Sequence, residues 1–348
     1  MNATPTSSER QVAAWLFTCC AVLFALVVLG GVTRLTGSGL SITDWRPVTG
    51  VLPPLSDAGW QSEFDLYRAT PEYQQVNRGM SMPEFKLIYA YEYAHRLLAR
   101  VLGLVFIVPL AVFWVRGKIP ARLRMPLLGV LALGMVQGYM GWFMVKSGLV
   151  DIPRVSPYRL GMHLGLALAI YGAMFWLALG LSRPRVAAAG SRGLRWLLLL
   201  LAATIMSGAF VAGNKAGLVY NTFPTMAGQW VPDGLLHLQP AWRNWFENPA
   251  TVQFTHRLLG LVTVALVLLA WLRSLRLPLS PAARVAMHLL AVMTVIQASL
   301  GVATLLTYVP VTLGAAHQGG AVLLLSATLF ALHESGRPSP APSLQRPA

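Results

Sequence analysis

The sequence predicts an all-α, polytopic membrane fold, and three observations carry the prediction. Of the 348 residues 55% are hydrophobic and only 11% are charged, whereas a soluble domain carries roughly a quarter charged. Apolar runs of about 20 residues, each long enough to cross a bilayer, recur along the whole chain. The basic residues gather in short loops on one side. Arg116, Lys118, Arg122 and Arg124 share one, Arg183, Arg185, Arg192 and Arg195 a second, and Arg273, Arg276 and Arg284 a third.

In chain order, a polar leader at 1–12 shows neither a cleavable-signal pattern nor the Arg-rich amphipathic character of a transit peptide. The first span is therefore expected to stay in the mature protein, and a bacterial inner membrane is favoured over the mitochondrial one. Eight spans follow, near 13–34, 88–114, 124–145, 159–181, 194–213, 251–272, 284–306 and 313–333. The loops opposite the basic ones mix signs, with Asp44, Asp57, Glu63, Asp65, Glu72 and Glu84 among them. By the positive-inside rule the basic loops are cytoplasmic, and so are both termini. The net charge of +15 thus orients the chain in lipid and implies no nucleic-acid partner. The tail 335–348 is expected to be disordered from its Pro and Ser content. Cys19 and Cys20, the only cysteines, lie in the first apolar run without metal or redox spacing.

The halves repeat. A shift of about 160 lays EYAHRLLARVLGL on QFTHRLLGLVTVA and Gln137 on Gln297, a shift of 178 lays GGVTRLTGSGLSITDW on GAFVAGNKAGLVYNTF, and a shift of 154 lays His163 on His317. The expected architecture is two tandem four-helix bundles, 13–182 and 194–334, joined by a cytoplasmic linker at 183–193. Because four is even, the units share one orientation, as a parallel repeat.

Four of the seven histidines, His95, His163, His256 and His317, form two repeat-related pairs. Each opens an even-numbered span near its outer end, so all four imidazoles sit at similar depth. Two imidazoles from facing helices suit the axial positions of a haem iron, and helical bundles build cofactor sites from such inward-facing side chains. The alternative, polar residues that only tie helices together, explains one buried histidine better than four in duplicated register. His237, His288 and His333 lack this support.

Of twelve acidic residues, Glu92 alone lies well inside a span. Glu92, His95 and Arg96 fall at i, i+3 and i+4 and share a helical face. A carboxylate beside a haem pocket can move protons or stabilise developing positive charge; the structural alternative is a pair with Arg96. The second half keeps His256 and Arg257 but places neutral Gln253 at the matching position. Arg96 and Arg257 are candidates for haem propionate contacts, or for snorkelling to the outer interface.

With these residues in place, the sequence resembles the heme A synthase family in its proteobacterial and mitochondrial branch. The matching stretches are GGVTRLTGSGLSITDWRPVTGVLPP, EFKLIYAYEYAHR, VQGYMGWFMVKSGL, VAGNKAGLVYNTFPTMAGQWVP, FTHRLLG and AAHQGG. The resemblance implies oxidation of the C8 methyl group of haem O to a formyl group, giving haem A for terminal oxidases. It implies haem b on His256 and His317, substrate haem O on His95 and His163, and a functional glutamate at Glu92. It further implies a quinone or other electron acceptor, delivery of haem O from the farnesyltransferase that makes it, and contact with oxidase assembly factors. Some bacterial members carry a cysteine pair in the first outer loop; residues 35–84 contain none, so a thiol-based step is excluded here. The competing reading of the four histidines is a diheme electron-transfer protein, a quinol oxidoreductase that leaves its haems unmodified.

Overall fold

The computed structural model describes residues 4–46, 49–150, 152–183 and 191–335. Among these the chain forms eleven α-helices and no strand: α1 (Ser7–Leu35), α2 (Asp57–Arg68), α3 (Pro71–Gln75), α4 (Met82–Val115), α5 (Ala121–Lys146), α6 (Pro157–Ser182), α7 (Arg192–Gly213), α8 (Asn244–Glu247), α9 (Pro249–Ser274), α10 (Pro281–Leu306) and α11 (Val311–Glu334). Eight of them, α1, α4–α7 and α9–α11, are long and apolar enough to cross a membrane. The chain is a multi-pass membrane protein of the all-α class, with every expected span present.

The helices start earlier than the apolar runs. Thr6 and Glu9 form a capping box that opens α1 at Ser7, inside the expected leader, and Ser81 with Glu84 does the same for α4. Capping satisfies the orphan N–H groups of a first turn with polar side chains, so these turns carry no hydropathy signal. Proline in the first turn recurs at Pro83, Pro157, Pro249 and Pro281, where its missing N–H is harmless. Positions 184–190 of the expected linker and 336–348 of the expected tail lie outside the described residues.

The most enclosed spans are α11, α1 and α6. With α7 they form the centre: α1 packs on α6 and α11, and α6 packs on α7 and α11. On one flank α4 lies against α1 and α5 against α6; on the other α9 lies against α7 and α10 against α11. The core is a continuous apolar cluster that includes Leu16, Cys19, Cys20, Leu127, Met174, Ala178 and Leu290. Both cysteines are buried and free.

The long connections at 36–81 and 214–248 cover the end of the bundle where α4, α6, α9 and α11 begin. Ile42, Phe64 and Tyr67 of the first pack with Phe85 and Tyr89 of α4 in a second apolar cluster. In the second, Asn244 and Asn248 are buried and bond the turns around them; Asn248 also caps α9.

Candidate functional site

Each of the four histidines rests on a glycine of the neighbouring helix. A Cβ added to Gly30 of α1 would lie 2.9 Å from Cε1 of His95 on α4, and one on Gly208 of α7 would lie 3.0 Å from Cε1 of His256 on α9. At Gly141 of α5 the same atom would be 3.2 Å from Cε1 of His163 on α6, and at Gly301 of α10 it would be 2.9 Å from Cε1 of His317 on α11. Carbon atoms pack at about 3.5–4.0 Å, so only glycine leaves the rings where they are. The shifts of 178 and 160 carry Gly30 to Gly208 and Gly141 to Gly301.

The surroundings of the rings recur in the same register. The His95 imidazole faces the Leu26 carbonyl and the His256 imidazole faces the Thr204 carbonyl, 178 residues on. Gln137 Nε2 donates to the His163 carbonyl at 3.1 Å, and Gln297 Nε2 donates to the His317 carbonyl at 2.9 Å. In the second half Ser207 Oγ donates to the Thr204 carbonyl at 2.7 Å and lies 2.8 Å from His256 Nδ1. With its own proton committed, that hydroxyl accepts from Nδ1–H, which leaves the Nε2 lone pair free for a metal.

The His256 and His317 rings stand 6.4 Å apart, centroid to centroid, with planes at 86°. Two metal–nitrogen bonds of about 2.0 Å, each extended by about 1.2 Å from nitrogen to ring centre, need about the same separation. The donor set also fits a haem. Among the described residues no group of three or more His, Cys, Asp or Glu is placed to hold a bare ion, whereas a porphyrin supplies four nitrogens and asks the protein for one or two axial ligands.

Glu92 is buried, 3% exposed, and fully engaged. Its Oε2 accepts from Ser41 Oγ at 2.7 Å and from the Ile42 amide at 2.9 Å. Its Oε1 accepts from Arg96 Nε at 3.1 Å and Nη2 at 2.7 Å. Arg96 reaches on to the carbonyls of Ile42 at 2.8 Å and Asp44 at 3.0 Å. The second half repeats the clamp without the charge. Arg257 donates to the carbonyls of Tyr220 and Thr222, both at 2.8 Å, and to Gln253 Oε1 at 3.2 Å. Gln253 Nε2 in turn bonds the Ala216 carbonyl at 2.8 Å. Residues 220 and 222 are 42 and 44 moved by 178. Both arginines therefore fasten a long connection to its helix, and Arg257 keeps a buried Nε with no hydrogen-bond partner.

The structure thus brings Glu92, His95 and Arg96 onto one turn of α4, sets His163 on α6 beside Gly141, and pairs His256 with His317. His237 bonds the Gly234 carbonyl in a connection, His288 takes a bond from Trp271, and His333 lies beside Glu334 at the far end of α11. The small-residue pair QGYMG, which holds Gly141, reads in the sequence as room for close packing or a flat macrocycle, whereas Gly30, Gly208, Gly301, Ser207 and the bonds from Ser41 and Ile42 escaped sequence reasoning. The glycines had a signal, since both pairs are identical in the aligned halves; Ser207 had none.

A family model described as cytochrome oxidase assembly protein, COX15-CtaA, matches residues 13–329. A heme A synthase of Nitrosospira multiformis is 51% identical over 94% of this chain and 94% of its own length. One of Rhizobium meliloti is 50% identical over 91% of this chain and 88% of its own length. The heme A synthase COX15 of Arabidopsis thaliana is 47% identical over 96% of this chain and 76% of its own length. Matched from its first span into its last by that model, and near half identical to relatives in bacteria and a plant, the chain belongs to the COX15-CtaA family of cytochrome oxidase assembly proteins.

Proposed function

We propose that the protein oxidises the C8 methyl group of haem O to a formyl group in a bacterial inner membrane, with both termini cytoplasmic, and so supplies haem A for terminal oxidases. The relatives' printed activity supports the reaction. The observation that carries the division of labour is the charge asymmetry between matching sites: Glu92 stands where the other half has Gln253.

In this reading the chain is two tandem four-helix units with different tasks. His256 and His317 hold haem b, oriented by Ser207 and seated on Gly208 and Gly301. Bound there, haem b supplies one-electron transfer toward a quinone or another acceptor. His95 and His163 bind the substrate, haem O, in the first half. The buried Nε of Arg257 is the donor best suited to a propionate of haem b, whereas every donor nitrogen of Arg96 is already bonded to Glu92 or to the connection.

Turning a methyl into a formyl group replaces two C–H bonds with a C=O bond; with the oxygen taken from water it releases four protons and four electrons, the electrons passing to the acceptor, and the carbon loses electron density. Glu92 is ion-paired with Arg96 at 2.7 Å and accepts four hydrogen bonds in all, which fixes the position of its charge. Its role is therefore electrostatic: a fixed negative charge that stabilises positive charge developing at the C8 carbon.

Expression in a host that makes haem O but no haem A tests the reaction. Extracted haems separated with mass detection should contain haem A or its hydroxymethyl precursor. Only unmodified haems from a folded protein would give the site to electron transfer instead.

A further inference from the structure

The two halves differ in how their outer helices meet. Along the second half α9 packs on α10, and α10 packs closely on α11; in the first half α4 barely touches α5. The cytoplasmic half of α5 is anchored in the core through Leu123, Leu127 and Val130. Beyond that anchor, residues 132–136, Gly138 and Tyr139 are all exposed. Seven of the eight positions are exposed and only Gln137, bonded to the His163 carbonyl of α6, is half-buried, so the side of α5 toward α4 has no close neighbour there. In the matching stretch of α10, 292–299, Thr294 stays buried at 1% and three further positions are half-buried.

The opening starts at the substrate imidazole. Gly134, Gly138 and Gly141 fall at i, i+4 and i+7 on one face of α5. Gly141 seats His163, while a Cβ on Gly134 or Gly138 would meet nothing within 4 Å. From Gly141 back to Leu131 the helix covers about 15 Å at 1.5 Å per residue, about the length of three isoprene units. The stretch is uncharged and mostly apolar, with Gln137 and the Tyr139 hydroxyl its only polar side-chain groups.

We infer that the space between α4 and α5 is a lateral channel that takes the isoprenoid tail of the substrate haem from the bilayer and holds it during the reaction. The inference rests on the assignment of the first half to haem O. The closed contact of α9 with α10 matches a site whose haem has no such tail and does not exchange. Lipid supplies no water to a buried polar group, but it supplies a tailed, apolar substrate directly.

Binding tests this without requiring turnover. Haem O and haem B, which lacks the tail, are titrated into the purified full-length protein with haem b bound, following the absorbance change. The wild type should prefer haem O by at least about tenfold, given the apolar area the tail buries. Gly134→Trp and Gly138→Trp fill the channel and should bring that preference close to unity, with haem B binding and the resident haem spectrum unchanged. Gly180→Trp at the far end of α6, an exposed position with open space around it, should behave as wild type. No preference in the wild type, or full preference in both filled variants, overturns the channel. A wild type that prefers haem O yet forms no haem A would sink the proposed reaction and leave the channel standing.

Discussion

At Gly208 a methyl group would lie 3.0 Å from Cε1 of His256, and at Gly30 a methyl would lie 2.9 Å from Cε1 of His95. Both are inside carbon packing distance, so Gly→Ala must push the ring, at a cost of about 1–3 kcal/mol for overpacking. Gly208→Ala should lower haem b affinity about tenfold or more, read as haem content of the purified protein. Gly30→Ala should leave that content intact and reduce haem A formation. Equal effects on haem content in both variants would contradict the assignment of halves. At this scale much was legible: histidine rarity in spans, duplicated spacing and the lone intramembrane acid point to His95, His163, His256, His317 and Glu92. What orients them was not. Ile42 contributes through its backbone N–H, which any residue offers, and Ser207 has no marked counterpart in the first half.

Between residue and fold, the first connection is expected to loosen as pH rises. Glu72 of α3 is buried, its Oε2 accepting from Tyr67 Oη at 3.2 Å, while Asn77 Nδ2 donates to that hydroxyl at 2.8 Å. Burial pushes its carboxyl up to about 7, with a smaller push from the Glu92 charge; the Tyr67 bond and Lys215 act the other way. A carboxyl raised on folding contributes stability that is complete below its unfolded value of about 4.5 and is lost as pH rises through about 7. Hydrogen-exchange protection of residues 57–80, corrected for intrinsic rates, should therefore fall between about pH 5 and pH 8. Glu72→Gln should flatten the profile; an unchanged slope would remove Glu72 as its cause. Element ends and splay were the poorly legible features. Capping boxes extend α1 and α4 beyond their apolar runs, and hydropathy reads α5 and α10 as equivalent although α5 stands away from α4.

Across the whole molecule, eight spans and their order follow from hydropathy because lipid demands helices with internally satisfied backbones. The contacts that recur 178 and 160 residues apart support two similar units that differ in intramembrane charge at Glu92 and Gln253. Gln253 also shows that a neutral amide sustains the arginine clamp, so Glu92→Gln should fold. The most direct measurement is haem extraction from the Glu92→Gln protein, made in a host with haem O and no haem A. The account predicts haem b and haem O both bound, with haem A and its hydroxymethyl precursor reduced by about a hundredfold or more, as for loss of a preorganised charge. Haem A at the wild-type level would contradict it.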